Sequence, residues 1–135
     1  MNVSFTMLDK LIPEVVLIHN EAKFYKLYRE LTGTNLTKDL SQYDGLHASG
    51  WKEGKPFAMI YLSRNDKRPL ADDFRILVHE ATHVKQTMMQ IFGEDTPGVE
   101  MEAIFMECLV KDLMVAHREW LRKKGVNKCW TNENS

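Results

Sequence analysis

Two histidines four residues apart, His79 and His83, lie in a stretch of the chain with a helical pattern. On a helix, positions i and i+4 lie one turn apart on the same face, so the two imidazoles can converge on one metal ion. Glu80 lies beside them without pointing at the metal, which is the position of a general base for the attacking water. The H-E-x-x-H pattern therefore predicts a zinc site for hydrolysis, with His79 and His83 as metal ligands and Glu80 as the catalytic residue.

The setting of the two histidines argues against a chance spacing. A helix from about Leu70 to Phe92 would have one broad apolar stripe, formed by Phe74, Leu77, Val78, Ala81, Val84, Met88 and Phe92. A separate polar stripe would carry His79, His83, Gln86 and Gln90. Core histidines more often lie within the apolar stripe, so we expect one face of this helix to pack on the core and the other to bind the metal.

A catalytic zinc site uses three protein ligands and leaves a fourth position open. Thr96 and Pro97 predict the start of a second helix, from about Gly98 to Lys124. Of two carboxylates near that start, Glu102 falls within an apolar stripe and Glu100 falls on the charged side. Because a buried carboxylate is costly unless it is paired or binds a metal, we expect Glu102 to be the third ligand. The alternative is a glutamate at a solvated helix start.

The spacing of these residues resembles that of a known family. Residues 84–101 separate His83 from Glu102, and H-E-x-x-H followed at such a distance by a glutamate on the next helix resembles the gluzincin branch of zinc metallopeptidases. The sequence from about Leu77 to Phe105 looks more closely like small phage- or prophage-encoded metallopeptidases. The resemblance implies a minimal zincin-like domain with one Zn2+ per chain and a peptide or protein substrate.

In the zincin resemblance, a strand just before the motif helix offers its edge to an extended substrate. Here the residues of that strand are Ala58, Met59, Ile60 and Tyr61, which we expect to bind substrate.

The chain also departs from the gluzincin pattern. Gluzincins commonly carry an aspartate four residues after the third ligand, where it holds a ligand histidine, and this chain has Met106 there. Another group must therefore accept the second N–H of that histidine. His117 lies too far along its helix to stabilise an oxyanion at the zinc. Other possible substrate or oxyanion contacts are His47, Tyr43, Tyr61 and Arg64.

The remaining pattern predicts a small α+β domain with a short, mostly antiparallel sheet. The predicted elements are strands at Val3 to Met7 and Glu14 to Ile18, a helix from Glu21 to Leu31 between Asn20 and Gly33, and a hairpin of Leu46 to Trp51 with Phe57 to Ser63. We expect the motif helix to lie between the sheet and the C-terminal helix. The polar tail, residues 126–135, is expected to be mobile unless Trp130 holds part of it.

Composition limits the remaining classes of function. The 135 residues, 44% of them hydrophobic, suit one domain with a real core. Because 18 basic and 19 acidic residues nearly balance, the charge gives no indication of a nucleic-acid partner. No apolar run predicts a membrane span or signal peptide, and the two cysteines lack disulfide spacing, so we expect a cytoplasmic protein, in the host cytoplasm if phage-encoded. A non-catalytic zinc-binding accessory protein is the alternative function.

Overall fold

The computed structural model describes residues 14–91 and 99–132. Its elements in chain order are β1 (Glu14–Ile18), α1 (Glu21–Thr32), a short 3-10 helix (Leu40–Gln42), β2 (Gly45–Lys52), β3 (Lys55–Leu62), α2 (Leu70–Ile91) and α3 (Val99–Lys124). Three strands and three long helices confirm the α+β class. The strand predicted at Val3 to Met7 and the helix start predicted at Thr96 and Pro97 lie outside the described residues.

The three strands form one mixed sheet in the order β1-β3-β2. Strand β2 pairs antiparallel with β3, which confirms the predicted hairpin. Strand β1 pairs parallel with the other side of β3, from Glu14 opposite Phe57 to Ile18 opposite Tyr61. The antiparallel expectation thus holds for the hairpin, and β1 makes the sheet mixed. The central strand is β3, whose backbone is hydrogen-bonded on both sides.

Both faces of β3 are buried, as its unbroken apolar pattern predicts. Met59 and Tyr61 face α1 and form a small core around Phe24. The alternate residues Ala58, Ile60 and Leu62 face the other two helices in the larger core. The sheet is therefore a middle layer, with α1 on one side and α2 with α3 on the other.

Helix α2 lies between the sheet and α3, as expected from its two predicted faces. Its core-facing residues are Leu77, Ala81, Val84 and Met88, and they pack with Phe105, Leu109 and Leu113 of α3. The placement of Val78 in the apolar stripe was wrong, since this side chain is 37% exposed. Ile76 and Glu80 are buried instead, because α2 also packs against β2 and its covered surface extends to that side.

The ends of α1 follow the sequence signals. The Asn20 side chain accepts a hydrogen bond from the amide of Lys23, which satisfies one of the free N–H groups at the helix start. Gly33 has a φ of 75° and donates its amide to the carbonyl of Arg29. A left-handed residue at this position closes the helix and is most easily supplied by glycine. Within the described ranges, no helix has the length and apolarity to cross a membrane.

A buried ionic network connects the first turn of α2 to α3 and to the segment after it. Asp73 is fully buried and its carboxylate accepts hydrogen bonds from Arg68 Nε at 2.5 Å and from His117 Nε2 at 2.7 Å. Lys128 Nζ lies 2.8 Å from the same carboxylate. His117 in turn contacts His19, with 2.9 Å between their ring nitrogens. Burial alone would raise the pKa of Asp73, but these hydrogen bonds hold it at about 2.

The segment that follows α3 is held against α2 as far as it is described. The amides of Leu70 and Ala71, at the start of α2, donate to the carbonyls of Cys129 and Trp130. The Trp130 ring packs edge-on against Phe74 with ring centroids 5.5 Å apart. Trp130 therefore contacts α2, the condition under which the sequence predicted that part of the tail is held. Residues 133–135 lie outside the described part of the chain.

The buried network predicts a large cost for neutralising Asp73. The Asp73→Asn variant should lose about 3 kcal/mol or more in free energy of unfolding, because it removes the buried anion that Arg68 and Lys128 share. Urea denaturation measures this loss. The matched control is Asp72→Asn, since Asp72 makes only an exposed ion pair with Arg75, and it should lose less than about 1 kcal/mol. Equal losses in the two variants would contradict this account.

His19 predicts a loss of stability in mild acid. Burial, with the nearby His117, lowers the pKa of His19 from 6.5 to about 3. Between these values the unfolded chain takes up a proton that the folded protein does not. Stability contributed by neutral His19 is therefore complete above pH 6.5 and falls toward pH 3, by at most about 1.4 kcal/mol per pH unit. Urea midpoints across this range should fall more steeply for the wild type than for His19→Gln, and parallel curves would refute the prediction.

Candidate metal centre

Helix α2 brings the two predicted histidine ligands together. His79 Nε2 and His83 Nε2 lie 3.2 Å apart, with their rings nearly perpendicular. Zinc–nitrogen bonds of about 2.0–2.1 Å in tetrahedral geometry place two ligand nitrogens about 3.3 Å apart. The separation of the two nitrogens therefore fits a shared metal ion.

Glu80 lies in the same cluster. Its side chain offers a carboxylate oxygen that lies within 4.8 Å of a ring nitrogen of each histidine, and this group could hold a metal ion. The residue is only 5% exposed, whereas His79 is exposed and His83 is half-buried. Two imidazoles thus reach toward solvent beside a carboxylate that is largely removed from it. The three residues of the motif are brought together as predicted.

The second nitrogen of one histidine has a partner on the same helix. His83 Nδ1 lies 3.3 Å from Oε1 of Gln86, so an N–H at Nδ1 can donate to the amide oxygen and leave Nε2 free for a metal. Gln86 thus gives His83 the hydrogen-bond acceptor that Met106, at the position of the gluzincin aspartate, cannot provide. Gln86 is three residues after His83, a spacing that places two side chains together on a helix. The spacing of His83 and Gln86 could therefore have indicated this contact, although no role was predicted for Gln86.

Strand β2 packs closely against this part of α2. A Cβ added to Gly45 would lie 2.6 Å from Ile76 Cγ2 and 3.3 Å from Glu80 Cγ, so only glycine allows the observed approach. His47 lies two residues further along the strand, on the same face. Its Nδ1 lies 3.6 Å from Oε1 of Glu80, and its ring stacks on that of His83 with centroids 4.8 Å apart. The sequence named His47 as one of four possible substrate or oxyanion contacts. The structure places it beside Glu80 and His83.

A cavity of about 420 Å3 opens over the cluster. His47, His79, Glu80 and His83 all line it. Tyr43 also lines it and is shared with an adjacent cavity of about 360 Å3, which Tyr61 and Arg64 border. The motif thus faces an open cleft large enough for part of a peptide. Tyr43 therefore borders the cleft that contains the motif, whereas Tyr61 and Arg64 border the adjacent cavity.

The structure does not bring Glu102 to the two histidines. Its carboxylate forms an ion pair with Lys85, a residue of α2 that lies about 200° around the helix from His83. Glu102 is accordingly absent from the group of possible metal ligands found within residues 14–91 and 99–132. The Glu102 side chain, predicted to be buried within the apolar stripe of α3, is 40% exposed, and its carboxylate is neutralised by a cation, which is the other way in which a half-buried charge can be satisfied.

The expected substrate contacts of the strand before α2 were wrong. Ala58, Met59, Ile60 and Tyr61 belong to β3, which pairs with β1 on one side and β2 on the other. No backbone edge of these residues is free to bind an extended peptide. The error comes from taking the strand nearest in sequence to the helix as the edge, since the parallel pairing with β1 could not be read from the hairpin pattern.

The structure also confirms that His117 lies away from the cluster. Its side chain is 2% exposed and donates to Asp73 in the buried network.

No protein family, curated protein or solved structure matches this chain. Functional assignment therefore depends on the residues and geometry described above.

Proposed function

We propose that this protein is a zinc-dependent metallopeptidase. The observation that carries the proposal is the convergence of His79 Nε2 and His83 Nε2, 3.2 Å apart, beside the carboxylate of Glu80. The likeness of the motif and its surroundings to gluzincins, including the small phage-type metallopeptidases, supports the same assignment. In this proposal the two histidines hold one Zn2+, and the substrate is a peptide or protein.

Zinc, when bound, supplies a Lewis acid that polarises a carbonyl and makes water acidic near neutral pH. The protein's own contribution is to hold its ligands and move a proton. Gln86 fixes the ring of His83 so that Nε2 points into the cleft. Glu80 takes a proton from the attacking water and gives it to the nitrogen of the leaving amine. Because this carboxylate is 5% exposed, it is shielded from most of the competing bulk water.

Glu102 stays the predicted third ligand. To reach the cluster its carboxylate must leave Lys85, with which it is paired in the structure. The exchange is chemically reasonable because Glu102 is half-buried on the second turn of α3, and a metal cation can replace an ammonium as its counter-charge.

An extended substrate has one strand edge to pair with near the cluster. Strand β2 is hydrogen-bonded to β3 on one side only, and no other strand among residues 14–91 and 99–132 pairs with its outer edge. His47, the third residue of β2, borders the cleft that contains the motif. A peptide added along this edge would therefore pass over His79 and His83, with main-chain hydrogen bonds to β2.

The ligand assignment predicts the metal content of the purified protein. Wild type should contain one zinc per chain, His79→Ala should contain none, and Glu102→Ala should bind zinc more weakly because it loses one of three ligands. Elemental analysis after dialysis measures the zinc-to-protein ratio, and competition with a chelator measures affinity.

The matched control for Glu102 is Lys85→Met, which removes the ion pair and keeps the carboxylate. If Glu102 binds zinc, Lys85→Met should retain the metal while Glu102→Ala weakens it. Wild-type affinity in Glu102→Ala would show that this residue serves only the ion pair. Zinc that is indifferent to His79→Ala would overturn the site itself.

The role of Glu80 predicts a separation of binding from chemistry. Glu80→Gln keeps the shape of the side chain and removes its basicity, so it should retain zinc and lose hydrolysis of an unfolded protein such as casein by at least about 100-fold. Hydrolysis is measured as release of acid-soluble peptides, with the zinc ratio recorded on the same preparation. Activity that persists in Glu80→Gln would rule out Glu80 as the general base.

The same variant tests the alternative of a non-catalytic zinc-binding accessory protein. Such a protein would bind zinc in both the wild type and Glu80→Gln and would hydrolyse nothing in either form. One zinc per chain with no hydrolysis in the wild type would therefore favour the accessory function.

A further inference from the structure

The face of β2 that is turned toward α2 carries a buried ring nitrogen that lacks a hydrogen bond. Gly45 and His47 are alternate residues of β2 and both face α2. The close approach at Gly45 brings the strand against the helix. His47 Nδ1 is buried and makes no hydrogen bond to any part of the chain that the structure describes. Leaving a buried polar atom unpaired costs free energy, so this nitrogen should have a use.

The nearest charged group to this nitrogen is Oε1 of Glu80, at 3.6 Å. No other basic side chain in residues 14–91 and 99–132 lies within 4.0 Å of that carboxylate. The distance exceeds a normal N–H···O hydrogen bond of about 2.9 Å. Catalytic hydrogen bonds are often long in the free protein and tighten when substrate binds, so a small closure of the cleft would complete this one.

The ring of His47 is also held on its face. It stacks on the ring of His83 at an interplanar angle of 15°, and its side chain is half-buried. The stack and the strand together limit rotation of the ring. His47 therefore keeps one edge, the one with Nδ1, toward Glu80.

We infer that His47 is a positioning residue for the general base, an inference that rests on the proposed function. The Nδ1–H of His47 holds Oε1 of Glu80, which leaves Oε2 to accept the proton from water. That proton passes from Oε2 to the nitrogen of the leaving amine as the peptide C–N bond breaks. His47 keeps its own proton throughout and acts only by fixing which oxygen of Glu80 faces the reaction.

Two substitutions of His47 separate this role from general packing. His47→Asn keeps an N–H near the position of Nδ1, and His47→Leu keeps the bulk without a donor. With casein as the substrate, we expect kcat of His47→Leu to fall by about 10- to 100-fold with KM little changed, and His47→Asn to recover most of the loss. Val115→Thr, an isosteric change at an exposed residue of α3 that does not border the cleft, is the control and should keep wild-type kinetics.

Zinc content and thermal unfolding of the same variants show whether a lost ligand or a damaged fold lowers kcat instead. His47→Leu should keep one zinc per chain and a cooperative transition. Loss of zinc would show that His47 is a ligand, and equal loss of kcat in His47→Asn and His47→Leu would show that the donor is irrelevant. Either result overturns the inference.

A measurement on the metal-free full chain tests the contact without any activity. Long-range 1H–15N NMR of the histidine rings at neutral pH should show His47 with its proton on Nδ1, and this preference should weaken in Glu80→Ala. A proton on Nε2, or no response to Glu80→Ala, would overturn the inference. If the wild type has no hydrolytic activity, the proposed function fails and the catalytic role of His47 with it, whereas the NMR result still decides whether His47 holds Glu80.

Discussion

The packing of α2 against β2 is the contact on which the candidate site depends. A side chain at Gly45 would collide with Ile76, and any retreat of the strand would carry His47 away from Glu80. The same approach buries Glu80 on the flank of the helix, one residue from an exposed histidine. One glycine thus determines that a carboxylate is shielded while the imidazoles beside it reach the cleft. The chemistry proposed for the site needs both conditions.

The structure divides the five histidines into two groups. His47, His79 and His83 border the cleft that contains the motif, whereas His117 is buried against Asp73 and His19, half-buried, contacts His117. Asp73 lies on the first turn of α2, nearly two turns before His79. Arg68, Lys128 and His117 all contact Asp73 in that first turn. The network therefore fixes the start of the helix that carries the motif, and the buried His117 contributes to the site through that support.

Local patterns in the sequence predicted the helices and strands well. They did not predict how strands distant in sequence pair in the sheet. The caps at Asn20 and Gly33, the hairpin and the long motif helix all depend on residues close in sequence. The strand β3 was wrongly predicted to be an edge strand because its parallel pairing with β1 joins segments about forty residues apart. Neither segment carries a local sequence pattern that indicates this pairing. His47 could be named as a possibility and not chosen, because its position beside Glu80 depends on Gly45, which lies just before the predicted strand Leu46 to Trp51. In the structure Gly45 is the first residue of β2.

The position of Glu102 raises a different question, because α3 is anchored at its far end. His117 is fixed to Asp73 and lies fifteen residues after Glu102, about 22 Å along the helix and about 60° around it. Rotating α3 to turn Glu102 toward the histidines would pull His117 out of a fully buried ion network, at a cost of several kcal/mol. If Glu102 is the third ligand, as proposed above, its movement from Lys85 toward the metal must come from its own side-chain torsions. An anchored far end of α3 therefore restricts the proposed third ligand to a side-chain movement of Glu102 away from Lys85.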